Sequence, residues 1–278
     1  MIRSLLKSCS AAIAVCAGLA ISAPVTAEAA PCGNDASGFS AWVQAFSNEA
    51  VANGISPQTL NVAFADLSYA TKTIQADRNQ RSFRLSLEDF MQKRGADAIV
   101  NRGRRLKQEN ARLLGSIEQS YGVPAGVILA IWGMETGFGG FLGNQPAIPA
   151  LATLAYDCRR SEFFTRELYA ALQIVQNGEL TPQQMRGAGH GELGQTQFLP
   201  SNYLRFAVDA DGDGRRDLIR SKADALASTA NFLRAYGWQP GAGYQPGEPN
   251  FGAIQAWNAA TVYQQAIAII AAQIDGGA

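Results

Sequence analysis

The segment from Pro124 to Thr136 constrains the fold more than any other part of the sequence. It is almost wholly apolar until it reaches Glu135, and Pro124 stands at its start. Proline suits the first position of a helix, because the amide hydrogen that it lacks would have no partner there. The pattern therefore predicts an apolar helix inside the protein that carries a single carboxylate near its end.

Glu135 is that carboxylate. It shares an i, i+4, i+7 spacing with Ile128 and Trp132, which places the three side chains on one face and predicts a half-buried carboxyl group. Burial against apolar groups raises the pKa of a carboxyl, and a general acid that works near neutral pH needs that shift. The glycines within 137–140 allow a left-handed helix cap and give a ligand access. On its own, the same pattern also fits an ordinary solvated helix end.

The rest of the chain has helical periodicity and little strand signal. From Gly38 to about Ser120 apolar residues recur with a helical period, beginning with a core face formed by Phe39, Trp42 and Phe46. Ser56 before Pro57 predicts a helix N-terminus. Further helices are predicted at 124–136, 161–176, 222–236 and 254–274, and 238–249 is predicted to be a surface loop. We expect a mainly α fold without internal repeats.

Residues 1–29 have the pattern of a secretory signal peptide. Basic residues precede an apolar run from Ala11 to about Ile21, and Ala27-Glu-Ala29 gives the small residues of a cleavage site. The run is shorter than the roughly 20 residues of a membrane-spanning helix. Lipidation is not expected, because neither Cys16 nor Cys32 follows a small residue. We therefore expect a periplasmic protein without a membrane span.

Charge excludes some partners. The full chain has 23 basic and 23 acidic side chains, and removal of residues 1–29 takes away two basic residues and one acidic residue. The resulting balance lacks the broad basic field that nucleic acids require, and it gives no attraction to anionic membranes. The mature length fits one large domain or two packed lobes, and we expect a monomer.

Cysteine and histidine are scarce. Cys9 and Cys16 fall in the predicted signal peptide, so an exported chain keeps Cys32 and Cys158. A disulfide between them is expected in an oxidising compartment, although two separate buried thiols fit the sequence as well. His190 is the only histidine, which excludes zinc motifs and any Ser-His or Cys-His catalytic pair without it.

Seven segments, in their order and spacing, resemble the membrane-bound lytic transglycosylase B family of bacterial cell-wall enzymes. The resemblance is to a soluble member of that family. The resemblance covers nearly all of the predicted mature chain. The segments are Asp77-Arg-Asn-Gln80, Tyr121-Gly-Val-Pro124, Trp132-Gly-Met-Glu-Thr-Gly-Phe-Gly139, Tyr156-Asp-Cys-Arg-Arg160, Gly194-Gln-Thr-Gln-Phe-Leu-Pro-Ser201, Asp209 to Asp217, and Ala256-Trp-Asn258 with Tyr263.

The resemblance implies a lysozyme-like catalytic core at 121–278, enclosed by a helical lobe at 30–120. It implies cleavage of the β-1,4 bond between N-acetylmuramic acid (MurNAc) and N-acetylglucosamine (GlcNAc) in peptidoglycan strands, with formation of 1,6-anhydroMurNAc and no catalytic cofactor. Glu135 matches the catalytic acid/base. The matched substrate-binding residues are Gln197, Asn258 and Tyr263 in the glycan groove, and Arg159 and Arg160 near the peptide side of the substrate.

Each matched residue also has an ordinary structural interpretation. Gln197 fits a loop-closing amide, Asn258 a helix cap and Tyr263 a core residue, whereas the two arginines fit a solvated turn. The chain departs from the family pattern at two positions. Ala188 replaces a serine and so removes a hydroxyl contact to the acetamido group, and Glu192 stands where the family has a small residue.

A single acid/base separates this chemistry from ordinary glycoside hydrolysis. Most glycosidases use two carboxylates, one of which stabilises the cation or activates water. In lytic transglycosylases the acetamido oxygen and the C6 hydroxyl of the substrate replace the second carboxylate. The rival interpretations are a lysozyme-type hydrolase in which Glu192 or Asp157 holds the water, and a noncatalytic glycan-binding protein.

Residues 209–217 match the beginning of a calcium-binding loop. Asp209, Asp211 and Asp213 occupy the first, third and fifth positions, and a glycine occupies the sixth. The twelfth position is Arg220 instead of glutamate, and the resemblance implies that Asp224 completes the ligand set. The alternative is a surface turn rich in aspartate and glycine. A calcium ion here is expected to stabilise the fold and to take no part in catalysis.

Overall fold

The computed structural model describes residues 31–79 and 85–276, so the predicted signal peptide lies outside the described residues. This part of the chain is mostly helical, and a short antiparallel ladder pairs β1 (Gln145–Pro146) with β2 (Arg186–Gly187). The helices are α1 (Phe39–Ala52), α2 (Pro57–Ala63), α3 (Thr71–Arg78), α4 (Leu87–Arg94), α5 (Ala96–Glu109), α6 (Ala111–Tyr121), α7 (Ala125–Thr136), α8 (Ala147–Tyr156), α9 (Ser161–Gln176), α10 (Pro200–Phe206), α11 (Lys222–Ala235), α12 (Phe251–Trp257) and α13 (Thr261–Asp275).

Helix α7 is the centre of the fold, and it packs against α5, α6, α11 and α13. Every residue of α7 except Glu135 is buried, as expected for a helix that is apolar on all sides. Gly126 lets α13 approach closely, since a Cβ atom at this position would lie 2.4 Å from the Ala271 carbonyl oxygen. The Asp275 carboxylate of α13 accepts the Gly126 amide hydrogen at 3.0 Å and so caps the start of α7.

The N-terminal helices pack around α8 and α9 through aromatic side chains. Phe39, Trp42 and Phe46 of α1 are buried, as predicted, and the first two contact the Tyr156 ring of α8. A disulfide joins Cys32 to Cys158, with the Cα atoms 5.0 Å apart, and it ties the segment before α1 to the turn after α8. None of the described helices has the length and hydropathy needed to cross a membrane.

Three features of the chain path were not predicted correctly. The helix predicted over 254–274 is two helices, because Asn258 between them is extended, with φ −145° and ψ 131°. Helix α8 was missed, although it is rich in alanine and almost wholly buried. Helix α10 was missed because it has only seven residues and lies within a segment rich in glycine. The break at Asn258 matters most, since it turns the end of α12 toward α7.

Candidate active site

Glu135 lies in the last turn of α7, at the point where the helix stops. Gly137 adopts a left-handed conformation with φ 58°, and the next residue, Phe138, also has a positive φ of 61°. The Thr136 hydroxyl fixes this turn, because it donates to the Gln195 carbonyl at 2.5 Å and accepts from the Gly139 amide at 2.9 Å. The chain therefore leaves the helix immediately after Glu135 and keeps its carboxyl group half-buried at the edge of the core.

Two donors from the region of the helix break hold the carboxyl group. The Tyr263 hydroxyl of α13 donates to Glu135 Oε1 at 2.7 Å, and the Trp257 indole of α12 donates to the same oxygen at 3.0 Å. Among the described residues, no hydrogen bond is made to Oε2 of Glu135. One oxygen is thus fixed by the protein, and the other is the atom that a substrate can meet.

The surroundings raise the pKa of Glu135 from its ordinary value of 4.5 to about 7. Burial is the largest cause, and the negative charge of Glu192 acts in the same direction. The hydrogen bonds from Tyr263 and Trp257 and the positive charge of Arg94 oppose the increase. A carboxyl group with a pKa near neutrality can give up a proton and take one back in the same reaction.

Glu135 opens into a groove of about 360 Å³. Its walls come from separate parts of the chain: the end of α4, helix α10 and the loop that precedes it, helix α11, and the junction between α12 and α13. Besides Glu135, the lining residues are Arg94, Ala188, Glu192, Gln197, Phe198, Leu199, Asn202, Phe232, Trp257 and Asn258.

Gln197 and Asn258 lie in this groove, as the resemblance implies, and both also have the structural roles that were considered for them. The Gln197 amide donates to the Leu142 and Gly194 carbonyls. Its backbone adopts a positive φ of 54°, a conformation that a residue with a side chain rarely takes and that is frequent at functional sites. The Asn258 carboxamide oxygen accepts the Ala260 amide hydrogen at the start of α13.

The structure places the other matched residues elsewhere. Tyr263 is only 2% exposed, so it contacts Glu135 from the core of the protein and does not line the groove. Arg159 and Arg160 both pair with the buried carboxylate of Asp77 and are not among the groove residues. Asp157 is buried as well and accepts a hydrogen bond from Arg78 at 2.8 Å; it is therefore not placed to hold a water in the groove.

Arg94 and Trp257 are site residues that were not identified from the sequence. Arg94 lies over the rings of Phe90 and Tyr263, with its guanidinium carbon 5.4 and 5.7 Å from their centroids. It is the last residue of α4, and nothing in the local sequence indicates that α4 reaches the site. Trp257 did have a signal, since it precedes Asn258 in a matched segment.

The aspartate loop is separate from the groove and is exposed. Carboxylate oxygens of Asp209, Asp211 and Asp213 all lie within 4.8 Å of one another, as a cation site requires. Asp224 does not belong to this group. It is fully buried, and its two oxygens accept the amide hydrogens of Ala210 and Asp217 at 2.8 Å each. The Asp224 carboxylate fastens the two ends of the loop, and its participation in a calcium site stays a prediction.

The helical fold and the position of Glu135, half-buried at the end of an apolar helix beside a groove, indicate a lysozyme-like protein. The chain belongs to the transglycosylase SLT domain family, whose profile matches residues 38–247. Over 140 residues it is 39% identical to membrane-bound lytic murein transglycosylase B of Escherichia coli K12, a match that takes in 48% of this chain and 38% of that protein. The chain thus spans well under half of this relative's length.

Solved structures have the same fold. SltB3 from Pseudomonas aeruginosa, in complex with NAG-anhNAM-pentapeptide, superposes with a TM-score of 0.80 at 32% identity, over 86% of this chain and 80% of that one. The E. coli lytic transglycosylase SLT35 in complex with calcium gives a TM-score of 0.73 at 24% identity, over 88% and 96% of the two chains. At that identity the second likeness shows the fold alone.

Proposed function

We propose that the protein is a lytic transglycosylase that cleaves the MurNAc-β-1,4-GlcNAc bond of peptidoglycan and forms 1,6-anhydroMurNAc, with Glu135 as the only acid/base. The observation that carries this proposal is the state of Glu135. Its pKa is raised to about 7, and its Oε2 atom is left unbonded by the described residues at the side of the groove. The bound ligands named for SltB3, NAG-anhNAM-pentapeptide and NAG-NAM-pentapeptide, support the choice of substrate.

In the first half of the reaction, protonated Glu135 gives its proton to the glycosidic oxygen. The C1–O bond breaks, GlcNAc leaves with a free hydroxyl, and the acetamido oxygen of MurNAc stabilises the cationic C1. Glu135 becomes a carboxylate at this step. The hydrogen bonds that Tyr263 and Trp257 donate to Oε1 stabilise this negative charge, because donors to an ionised acceptor are bound more strongly than donors to a neutral one.

In the second half, the Glu135 carboxylate takes the proton of the C6 hydroxyl of MurNAc. The C6 oxygen attacks C1 and closes the 1,6-anhydro ring, and Glu135 returns to its protonated form. No water is consumed and no second carboxylate is needed. An attacking group on the same sugar ring has a high effective molarity, which favours ring closure over attack by water.

Gln197 and Asn258 are proposed to bind the glycan, since both line the groove beside Glu135. Arg159 and Arg160 are proposed to act at the peptide side; they share the single carboxylate of Asp77, so their two positive charges are only partly neutralised. Trp257 and Tyr263 are proposed as positioning residues for Glu135.

The alternative function is that of a lysozyme-type hydrolase, and one observation favours it. Glu192 supplies a second carboxylate to the same groove, and in a hydrolase it would be the group that holds the attacking water. Product analysis distinguishes the two reactions, because ring closure leaves a 1,6-anhydro end, whereas hydrolysis leaves a reducing end. The product of hydrolysis is heavier than the anhydro product by the mass of one water molecule.

The test is mass spectrometry of the products released from purified sacculi by residues 30–278. We expect 1,6-anhydromuropeptides and, in parallel, no release by Glu135→Gln. Products with reducing MurNAc ends would establish the hydrolase instead. Binding to sacculi without any turnover would establish a noncatalytic glycan-binding protein.

We also propose a structural calcium ion held by Asp209, Asp211 and Asp213. The site is suited to calcium because the three exposed carboxylates meet closely and because oxygen ligands are those that calcium prefers. The calcium named for the SLT35 complex agrees with this choice. The ion would offset the repulsion among the three charges and would take no part in bond cleavage.

We also propose that the protein is exported to the periplasm and that it is a monomer. Export is supported by the Cys32–Cys158 disulfide, since disulfides persist in oxidising compartments.

A further inference from the structure

Glu192 is a rigidly held carboxylate in the groove. It closes a tight loop that begins at Gly187, where a Cβ atom would fall 1.6 Å from the Glu192 carbonyl oxygen. Within this loop the His190 amide donates to Glu192 Oε2 at 3.0 Å, and the His190 ring nitrogen Nδ1 lies 3.5 Å from Oε1. The side chain is 23% exposed, and Glu192 lines the same groove as Glu135.

No arginine or lysine of the described residues forms an ion pair with Glu192, and its charge is balanced in part by His190. In the described part of the chain, His190 is the only basic side chain within 4.0 Å of it, and the other imidazole nitrogen of His190 lies 3.5 Å from Asp77. Asp77 in turn pairs with Arg159 and Arg160, and the charge of Arg160 interacts with Glu192 without forming an ion pair with it.

Arg94, the other charged residue of the groove, stacks on aromatic rings and forms no ion pair with Glu192. Burial raises the pKa of Glu192, but the hydrogen bonds and charge of His190 outweigh it and hold the pKa below its ordinary value. The carboxyl group is therefore ionised at neutral pH.

An ionised carboxylate that is only partly exposed has lost part of its hydration. A cation of the substrate that forms a charge-assisted hydrogen bond with it compensates for that loss. We propose that Glu192 is a specificity-determining residue that binds a primary ammonium group of the substrate strand. This inference rests on the proposed function. The ammonium group has two possible sources, namely an unacetylated glucosamine in the glycan or an amine of the stem peptide.

The experiment compares wild-type protein with Glu192→Gln on four preparations of peptidoglycan strands. The first has intact peptides, and the second has the same peptides after chemical N-acetylation of their amines. The third has had its peptides removed by an amidase and keeps fully acetylated sugars. The fourth is peptide-free and de-N-acetylated at glucosamine. All rates are measured as kcat/KM at one pH well below the pKa of Glu135, so that Glu135 is protonated in both proteins.

We expect Glu192→Gln to lower kcat/KM about tenfold on the strands whose ammonium group it binds, because a charge-assisted hydrogen bond is worth roughly this factor or more. On the matched acetylated strands the loss should be no more than about threefold. A loss confined to the first preparation identifies the peptide amine, and a loss confined to the fourth identifies the sugar amine. Glu118→Gln, which removes the same charge from an exposed position of α6, is the control. Its kcat/KM should equal that of the wild type on all four preparations.

An equal wild-type to Glu192→Gln ratio on all four preparations would overturn the inference. So would a larger loss on acetylated strands than on those with free amines. Failure of the proposed function gives a different result, since the wild-type protein would then release no anhydro products from any preparation. Circular dichroism of Glu192→Gln establishes that the loop variant is folded before rates are compared.

Discussion

The molecule uses carboxylates in two contrasting ways. Glu135 is a single carboxyl group, half-buried at the end of an apolar helix, and its one fixed oxygen accepts two side-chain hydrogen bonds. Asp209, Asp211 and Asp213 are three exposed carboxylates on a glycine-containing loop. The Asp209 carboxylate accepts amide hydrogens from Gly212 and Gly214 of its own loop.

The contrast shows that the environment, and not the residue type, decides what a carboxyl group does. Burial makes the charged form of Glu135 costly, so its pKa rises toward neutrality and it can transfer protons. The three aspartates are exposed and close together, and a bound cation would relieve the repulsion among their carboxylates. Each region therefore predicts a different response to mutation, to metal and to pH.

The largest expected effect is the loss of activity in Glu135→Gln. The amide is nearly isosteric, but it can neither protonate the glycosidic oxygen nor accept the C6 proton. General acid/base catalysis is worth about 10²–10⁴ in rate, and we expect a loss at the upper end of that range or beyond, measured as release of 1,6-anhydromuropeptides. Circular dichroism should remain that of the wild type. Retention of more than about a tenth of the activity would remove Glu135 as the catalyst, and Glu192→Gln would be assayed next.

The aspartate loop should respond to metal and not to substrate. If calcium binds the native state alone, it stabilises the protein by roughly 2.7 kcal/mol at a hundredfold excess over Kd. We expect calcium to raise Tm, a chelator to reverse the increase, and Asp209→Asn to abolish it. Asp224→Asn should lower Tm with and without calcium, because the Asp224 carboxylate fastens the loop ends. A wild-type Tm unmoved by either calcium or chelator contradicts the site.

The same contrast explains what could be predicted from the sequence. The helix that carries Glu135 could be predicted because its signals are local: an apolar run, a carboxylate and a glycine that ends the helix. The aspartate triplet is a short-range motif for the same reason. The partners of Glu135 come from residues more than a hundred positions away, and no local pattern shows that Trp257, Tyr263 and Arg94 converge on it.

The errors also have a physical origin. Helical periodicity continues through 254–274, so a single helix was predicted there, although the interpretation of Asn258 as a helix cap is the one that agrees with the break; capping contacts and tertiary packing override propensity at this position. Asp224 was assigned to the metal through the family resemblance, and no local pattern shows that its carboxylate accepts backbone amide hydrogens. Asp224 lies in the first turn of α11, and from there its carboxylate accepts a backbone amide hydrogen of the loop.

The third prediction concerns stability. In the unfolded chain Glu135 ionises above its ordinary pKa of 4.5, but in the folded protein it resists ionisation until about pH 7. A raised carboxyl pKa means that stability is fully present below pH 4.5 and decreases as the pH rises to about 7. Glu135→Gln has no such loss. We expect it to match the wild type in acid and to be more stable by about 2 kcal/mol above neutrality, after allowance for partial exposure.

Denaturant unfolding at several pH values checks this expectation. Glu118→Gln, on the exposed face of α6, is the control, because its free energy of unfolding should follow that of the wild type at every pH. A Glu135→Gln variant that was less stable than the wild type above neutrality would show that the carboxylate is held favourably and that burial does not dominate.

The smallest expected effect is a shift in the pH dependence of kcat/KM, which reports the pKa of the free enzyme. Cleavage begins with protonated Glu135, so the rate should be level in acid and fall as the pH rises through about 7. Tyr263→Phe removes a donor that stabilises the ionised form, so the pKa of Glu135 and the alkaline limb should move upward, on the order of one pH unit or less. Glu192→Gln removes a like charge and should move the limb downward. Opposite shifts from these two variants are the signature of Glu135 as the titrating acid, and a limb that neither variant moves would assign the titration to another group.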